Sequence, residues 1–358
     1  MQSVKIKRHR PLAIINKSLI TYHTGCICSV DLYNNKVQTI YKLPVSAKDS
    51  LFMWSRLYER LFRREIRAAV KADESHLIYV FDKTVYCLNI ITGENREELK
   101  LRKGTSSPYY FCKLQGIRGF EDGIVFGEYL QNPDRLEKVG IYRRSIDTEE
   151  WKCVYRFPAG SIRHIHGIVS APEHKCVYIL TGDRDNEAGL WKATDDFSTV
   201  EPYVIGSQQN RAVHLYPVGD KLIYATDTPN EPNYIYSIDG KNRSINKIQT
   251  INGSCIYASE SKDFIFISST VEPDERIRGW RSWINYKLGP GILSKEVCVY
   301  KIWKESLRIE IIATFHKDAF PYKLFQYGQC DSIYDEERMK LLLYPIAVKK
   351  YDGKLLEI

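Results

Sequence analysis

The chain has 358 residues, 44% of them apolar, which is ample for a substantial core and for either one large domain or two ordinary ones. Lys and Arg exceed Asp and Glu by 52 to 44, and the resulting +8 favours an anionic partner while leaving nucleic acid, acidic polysaccharide and membrane surface open. No stretch approaches the roughly 20 apolar residues of a membrane-spanning helix, and the nine scattered cysteines lack the paired short spacings of a zinc site or a disulfide framework.

The first residues, MQSVKIKRHRPLAIINKSLI, are basic, but Asn16 and Lys17 break the apolar run and no small-residue cleavage site follows. A mature cytoplasmic start with reduced thiols is expected. Further along, short Val/Ile/Tyr-rich strands run into polar turns and out again at a recurring interval. They read ICSVDLYNNKVQTIYKL from Ile27, VYCLNIITGENREELKL from Val85, GIYRRSIDTEEWKCVYRF from Gly140 and GLWKATDDFSTVEPYVI from Gly189. YIYSIDGKNRSINKIQTI from Tyr234 and CVYKIWKESLRIEIIATF from Cys298 complete the series. The starting points lie 58, 55, 49, 45 and 64 residues apart, one four-stranded unit per interval. In the fourth unit the strands are HIHGIVSA, KCVYILTGD, GLWKATDD and VEPYVIG. The C-terminal KLFQYG…KLLLYPIAVKKYDGKLLEI forms a seventh unit that SVKIKRH from the N-terminus would complete, leaving no open sheet edge.

The predicted fold is therefore all-β, a single β-propeller domain over residues 1–358. Seven four-stranded antiparallel blades are favoured, with six or five as fallbacks and a two-sheet sandwich as the alternative. Two insertions interrupt the pattern. Residues 45–67 have Leu57, Leu61 and Ile66 at approximately helical spacing and lie between the last strand of one blade and the first of the next. Residues 273–296 are rich in Arg and Trp and lie between second and third strands. Both are expected on the channel-mouth face, where long loops on a rigid scaffold mark a working surface.

An acidic residue closes the second strand of five consecutive units: Asp82, Glu128, Asp183, Asp227 and Glu272. The alternative explanation is that Asp caps turns through nearby backbone N–H groups, and it applies best to Asp82, whose hairpin is short. Distinctive neighbours follow three of the others: Tyr129, Asn132 and Arg135; Asp185 and Glu187; Thr228 and Asn233. Alternation along a strand points His164 and His166 the same way and Arg163 the other, near the mouth that Asp183 shares. The next blade enters with Gln208, Gln209, Arg211 and His214. Three readings of this cluster stand: a divalent transition-metal site, an acid/base site, and a packed polar plug without chemistry. The sequence requires no cofactor and assigns no residue as a metal ligand.

The turns SIDTEEW at Ser145 and TDDFSTV at Thr194 resemble degenerate Asp-box turns; the first keeps Ser145, Asp147 and Trp151, the second Asp196 and Thr199. Together with FGEYLQNPDR, YRFPAGSIRHIHGI, TGDRDNEAGLW, GSQQNRAV and TDTPNEPNYIY, they make the chain similar to sialidase-superfamily propellers. These are described as glycosyl hydrolases or Asp-box repeat proteins and are associated with polysaccharide gene clusters. The similarity is strongest over about residues 120 to 240. It implies a carbohydrate partner but no mechanism, because the sialidase catalytic set does not map onto this chain residue by residue, and the Asp box is itself a structural turn.

Two principal classes of function follow. In an enzyme acting on an acidic glycan, Arg163 and Arg211 contact a carboxylate and Gln208, Asp227, Asn233 and Glu272 assist binding. Glu128 and Asp183 then act as a hydrolytic pair, or His164 or His166 serves as lyase base with Tyr129 as acid. In a glycan-binding or scaffold protein of polysaccharide biosynthesis, the same groups bind hydroxyls while Trp280, Trp283 and Tyr286 stack on sugar rings. A third class docks a membrane surface or protein through Arg60, Arg63, Arg64 and Arg67 within residues 56–67. Nucleic acid is not expected, since the basic residues lack an interleaved aromatic platform.

Overall fold

A computed structural model of the protein describes residues 2 to 358. The fold is a seven-bladed β-propeller. Among the described residues there are seven four-stranded antiparallel sheets, plus a two-stranded ribbon that pairs Thr105–Ser106 with Tyr129–Leu130. The seventh sheet closes as the sequence predicts: Gln2–Lys7 pairs with Lys354–Glu357, with Gln2 opposite Glu357 and Ser3 opposite Leu356. A strand from the start of the chain thus completes a blade built from its end.

Burial follows strand position within a blade. In the fourth blade, Cys176–Thr181 is buried throughout, whereas the outer strand Thr199–Ile205 buries only Tyr203 fully. Central strands covered on both faces read as continuous apolar runs, while outer strands carry charge, as in NREELK of Asn95–Lys100. Charged outer strands resist edge-to-edge pairing with another chain. The two-residue turn between Phe81 and Thr84 places Asp82 at φ 43° and Lys83 at φ 62°, the left-handed pair of a tight hairpin. Asp82 is exposed there, so its place in the acidic series is accounted for by turn geometry.

Chain contacts divide the molecule into two compact units. One comprises Arg67–Thr226 and Tyr236–Ile248, and holds the second, third and fourth blades. Its core gathers Leu114, Val125, Ile141, Ile165, Ile168, Val177 and Ile179. Two glycines let the inner strand Ile165–Ala171 approach its neighbours closely. A Cβ on Gly127 would lie 2.3 Å from Ile165 Cγ2, and one on Gly167 would lie 2.6 Å from Val213 O.

The other unit comprises the chain up to Ile66, Asp227–Ile235 and Gln249–Ile358. It contains both insertions. Residues 45–67 form two short helices, Ala47–Phe52 capped by Ser46 and Arg56–Phe62 capped by Ser55, and the second ends at Arg63 with φ 52°. The helix expected over Leu57 and Leu61 therefore exists, but Ile66 lies beyond its end, buried in its own right, and the inward side of the helix is not apolar. Leu57 and Leu61 are exposed, and Glu59 and Arg60 are buried instead. Arg60 pairs with Asp318 at 2.7 Å and Asp352 at 3.4 Å, Glu59 with Arg8 at 2.8 Å, and Glu65 with Arg56 at 2.8 Å. Arg10 continues the network to Asp331 at 2.8 Å. The surface under the helix is itself charged, so ion pairs rather than an apolar stripe fix its seat. Such pairs specify position more than they add stability, although removing one partner is costly. In the second insertion Asn285 donates to Asp274 O at 3.0 Å, and Trp280 and Trp283 remain exposed beside the turn Gly279–Ser282.

Candidate functional site

The candidate site lies wholly within the unit that holds blades two to four, where Ile165–Ala171 begins. Ile165 N–H donates to Glu128 O at 3.0 Å, which docks this strand on the preceding blade. His164 and His166 then fall on one side, as alternation predicts, with ring centroids 5.1 Å apart and both rings buried. Asp183 arrives from the loop after Cys176–Thr181. The residue before it is Gly182, where a Cβ would lie 2.9 Å from His166 Cε1. Asp183 itself adopts φ 110°, a conformation that a residue with a side chain rarely takes and that costs on the order of 1–3 kcal/mol. The surrounding structure holds its carboxylate against the histidines despite that strain.

The loop is fastened from beneath by Glu187, which is 1% exposed. Its carboxylate accepts from Arg163 N–H at 2.8 Å, Arg184 N–H at 3.1 Å and Arg135 Nε at 3.2 Å, with a further contact from Arg135 Nη2. Glu187 thus ties together the segments that carry Arg163 and Asp183. Gln208 Nε2 adds a bond to Asp183 O at 3.1 Å.

Around the Asp183 carboxylate, Arg163 Nη1 contacts Oδ2 at 2.5 Å and Arg211 Nη2 lies 3.4 Å from Oδ1. His164 Nε2 and His166 Nε2 are each 3.5 Å from the same Oδ1 and 3.1 Å from one another. Burial would raise the Asp183 carboxyl, but the two facing imidazoles outweigh it and hold the group well below the usual carboxylate range. Burial lowers His164 despite the pull of Asp183, favouring its neutral ring. His164 Nδ1 lies 3.3 Å from Leu130 O and His166 Nδ1 3.1 Å from Ala212 O. A carbonyl oxygen only accepts, so each ring carries a hydrogen on Nδ1 and turns its Nε2 toward the cluster.

Aromatic groups cover this cluster. Tyr129 stacks on His164 at a centroid distance of 4.0 Å, and its hydroxyl is 3.3 Å from that of Tyr109. The Arg67 guanidinium lies over the Tyr109 ring at 5.0 Å. The sequence singled out Tyr129 but not Tyr109, which sits in the irregular SSPYYF segment with no strand pattern to reveal its direction.

Glu128 is placed differently. Arg102 grips its carboxylate from two sides, at 2.6 and 2.8 Å, and Gly140 N–H donates to Oε2 at 2.7 Å. Both oxygens are engaged, and the side chain is 2% exposed. The remaining expected site residues belong to the other unit. Asn233 closes its own loop, accepting from Thr228 N–H at 2.9 Å and donating to Thr228 O at 2.8 Å. Asp227 and Glu272 are buried, and Lys323 Nζ lies over the Trp283 ring at 4.7 Å. His164, His166, Asp183, Arg163, Arg211, Gln208 and Tyr129 are thus brought together. Among the described residues, His164, His166 and Asp183 form the one group of three side chains arranged to hold a metal ion.

No protein-family model and no curated protein matches this chain. Solved structures do. An oligogalacturonate lyase from Vibrio parahaemolyticus superposes with a TM-score of 0.56 at 10% identity, over 93% of this chain and 86% of that one. A putative 6-phosphogluconolactonase from Bacteroides fragilis gives 0.53 at 10% identity, over 98% and 92%. A chain of a mitotic checkpoint complex gives 0.58 at 8% identity, over 99% and 89%. Their shared feature with this protein is the propeller fold, which hosts enzymes and scaffolds alike.

Proposed function

We propose that this protein acts on an acidic carbohydrate, recognising a sugar carboxylate and cleaving the chain by β-elimination rather than by hydrolysis. The observation that carries this reading is the state of its two candidate carboxylates. Glu128 has both carboxylate oxygens engaged by Arg102 and Gly140 N–H, and Asp183 is held ionised, so neither is placed to protonate a leaving oxygen as glycoside hydrolysis needs. Beside them lie two imidazoles and a phenol. Arg163 and Arg211 both gather on the Asp183 carboxylate, and guanidinium groups suit a carboxylate geometrically.

In the elimination, a group of the His164, His166 and Tyr129 stack takes the proton from the carbon beside the uronate carboxylate. The C–H electron pair becomes a C=C bond, and the glycosidic oxygen leaves with its bond electrons and is then protonated. The oligogalacturonate lyase among the structural neighbours is named for a substrate of this class, but the reading rests on the site. The Asp-box resemblance points to carbohydrate as well, through the turn that keeps Ser145, Asp147 and Trp151. The nine cysteines are all free thiols, in keeping with the reducing, cytoplasmic setting proposed here.

A second reading is glycan binding without turnover, favoured by Trp280 and Trp283, which are exposed large aromatic residues of the kind that stack on sugar rings. One assay separates the two. Acidic oligosaccharides are incubated with the protein and followed for ultraviolet-absorbing unsaturated ends and for total reducing ends. Both signals should rise together and be lost in Arg163→Met with its melting temperature retained. Reducing ends without absorbance would overturn the elimination, and binding with neither signal would establish the lectin reading.

A further inference from the structure

His164, His166 and Asp183 bring three ligand atoms to one point. Each imidazole gives its Nδ1 hydrogen to a backbone carbonyl, of Leu130 and of Ala212. The two Nε2 atoms therefore face each other at 3.1 Å, and each also faces Asp183 Oδ1 at 3.5 Å. Three atoms able to ligate a cation thus converge at one largely buried spot. The fold spends strain to keep them there: Asp183 sits at φ 110°, and only a glycine fits at position 182.

We propose that these three side chains bind a divalent transition-metal ion. Three atoms separated by 3.1, 3.5 and 3.5 Å lie on a circle of radius about 2.0 Å, so a cation slightly out of their plane is about 2.1 Å from all of them, the bond length of zinc to nitrogen and oxygen. Two imidazole nitrogens with one carboxylate oxygen select zinc, manganese or a similar ion over calcium or magnesium, which prefer all-oxygen sets. Three protein ligands are also the number found where a further position stays open for water or substrate. The Nδ1–H bonds to carbonyls are the outer contacts that fix a ligating imidazole in its tautomer and orientation. Arg163 and Arg211 orient the Asp183 carboxylate in the same way.

The ion deepens the functional reading above and rests on it only for the substrate. A divalent cation in place would add positive charge beside two guanidiniums, and an anionic sugar would offset it by coordinating the open position. Once both imidazoles ligate, Tyr129 is the member of the stack whose reactive atom is left free of the ion.

The test uses the full chain, stripped with a chelator and dialysed. Cobalt(II) is added and its visible d–d absorption followed, with zinc and manganese titrated calorimetrically. One equivalent of ion per chain is expected, with the absorption of a nitrogen-ligated, low-coordinate cobalt. His166→Gln and Asp183→Asn, checked for folding by thermal melting, should lose more affinity than the roughly 10–100-fold that removal of an orienting partner causes. The wild-type stoichiometry and spectrum stand even if a variant fails to fold. No uptake by the wild type, with imidazole nitrogen NMR showing one Nε2–H shared between the rings, would overturn the proposal in favour of a bound proton. Unchanged affinity in folded variants would overturn it too. An ion bound without cleavage of any acidic oligosaccharide would sink the functional reading and leave the metal site standing; cleavage unaffected by the chelator would do the reverse.

Discussion

Glu187 offers a direct measure of how the site is held. Its carboxylate accepts four N–H groups from Arg135, Arg163 and Arg184, and it and Arg135 are both buried. In Glu187→Gln the shape is kept, but the charge is lost and one acceptor oxygen becomes an NH2 that faces a donor. Arg135 is then a buried cation without its counter-charge, and breaking such a pair costs about 3–5 kcal/mol. For a chain of 358 residues, whose unfolding entropy is about 0.75 kcal/mol/K at about 2.1 cal/mol/K per residue, that is a fall in melting temperature of roughly 4–7 °C. Replacing both partners with apolar residues of similar volume, Arg135→Met with Glu187→Leu, should recover much of the loss, since the desolvation of both charges is relieved. The assay is a double-mutant cycle by urea unfolding. A loss below about 1 kcal/mol in Glu187→Gln, or a double variant as unstable as the sum of the singles, would refute the reasoning.

Other consequences can be read from single positions. His9 is 5% exposed and stacked on His23 at 4.2 Å; burial first, and His23 second, lower its pKa to about 4. Because the unfolded chain takes up this proton near pH 6.5, stability should be intact above that pH and fall by about 2–3 kcal/mol on acidification towards pH 4.5. His9→Gln should flatten that slope in urea melts, and identical pH profiles would contradict the assignment. Gly127→Ala puts a Cβ 2.3 Å from Ile165 Cγ2, an overpacking expected to cost about 1–3 kcal/mol and to disturb His164 next to it. Calorimetry reads the first effect and the imidazole NMR signals the second; a wild-type melting temperature would show that the blades can part at that point.

The propeller was legible because its cause is repetition. Each blade restates the same strand-turn-strand pattern, and even the closing strand Gln2–Lys7 could be foreseen from the unpaired edge it fills. His164 and His166 were legible for a related reason, since period-two alternation fixes which side chains share a face, but Arg163, which the same rule turns the other way, reaches the Asp183 carboxylate as well. What could not be read was the destination of each charge. Nothing near Arg102 says that it will grip Glu128, 26 residues on, and remove that carboxylate from the candidate acids. Nor does the spacing of Leu57 and Leu61 reveal that the helix will turn Glu59 and Arg60 inward, because the choice depends on Asp318, Asp352 and Arg8 in distant parts of the chain. Asp82 shows the opposite limit: a recurrent acidic position explained by a two-residue turn. The Nδ1 contacts that turn both Nε2 atoms inward depend on carbonyls of two other segments, which no local pattern specifies.

The most direct test of the central claim is the oxygen balance of the reaction. An acidic oligosaccharide digested in 18O-labelled water and analysed by mass spectrometry should give fragments whose masses sum to that of the substrate, with no label at the new ends. A gain of one labelled water per cleavage would mean hydrolysis and contradict the account.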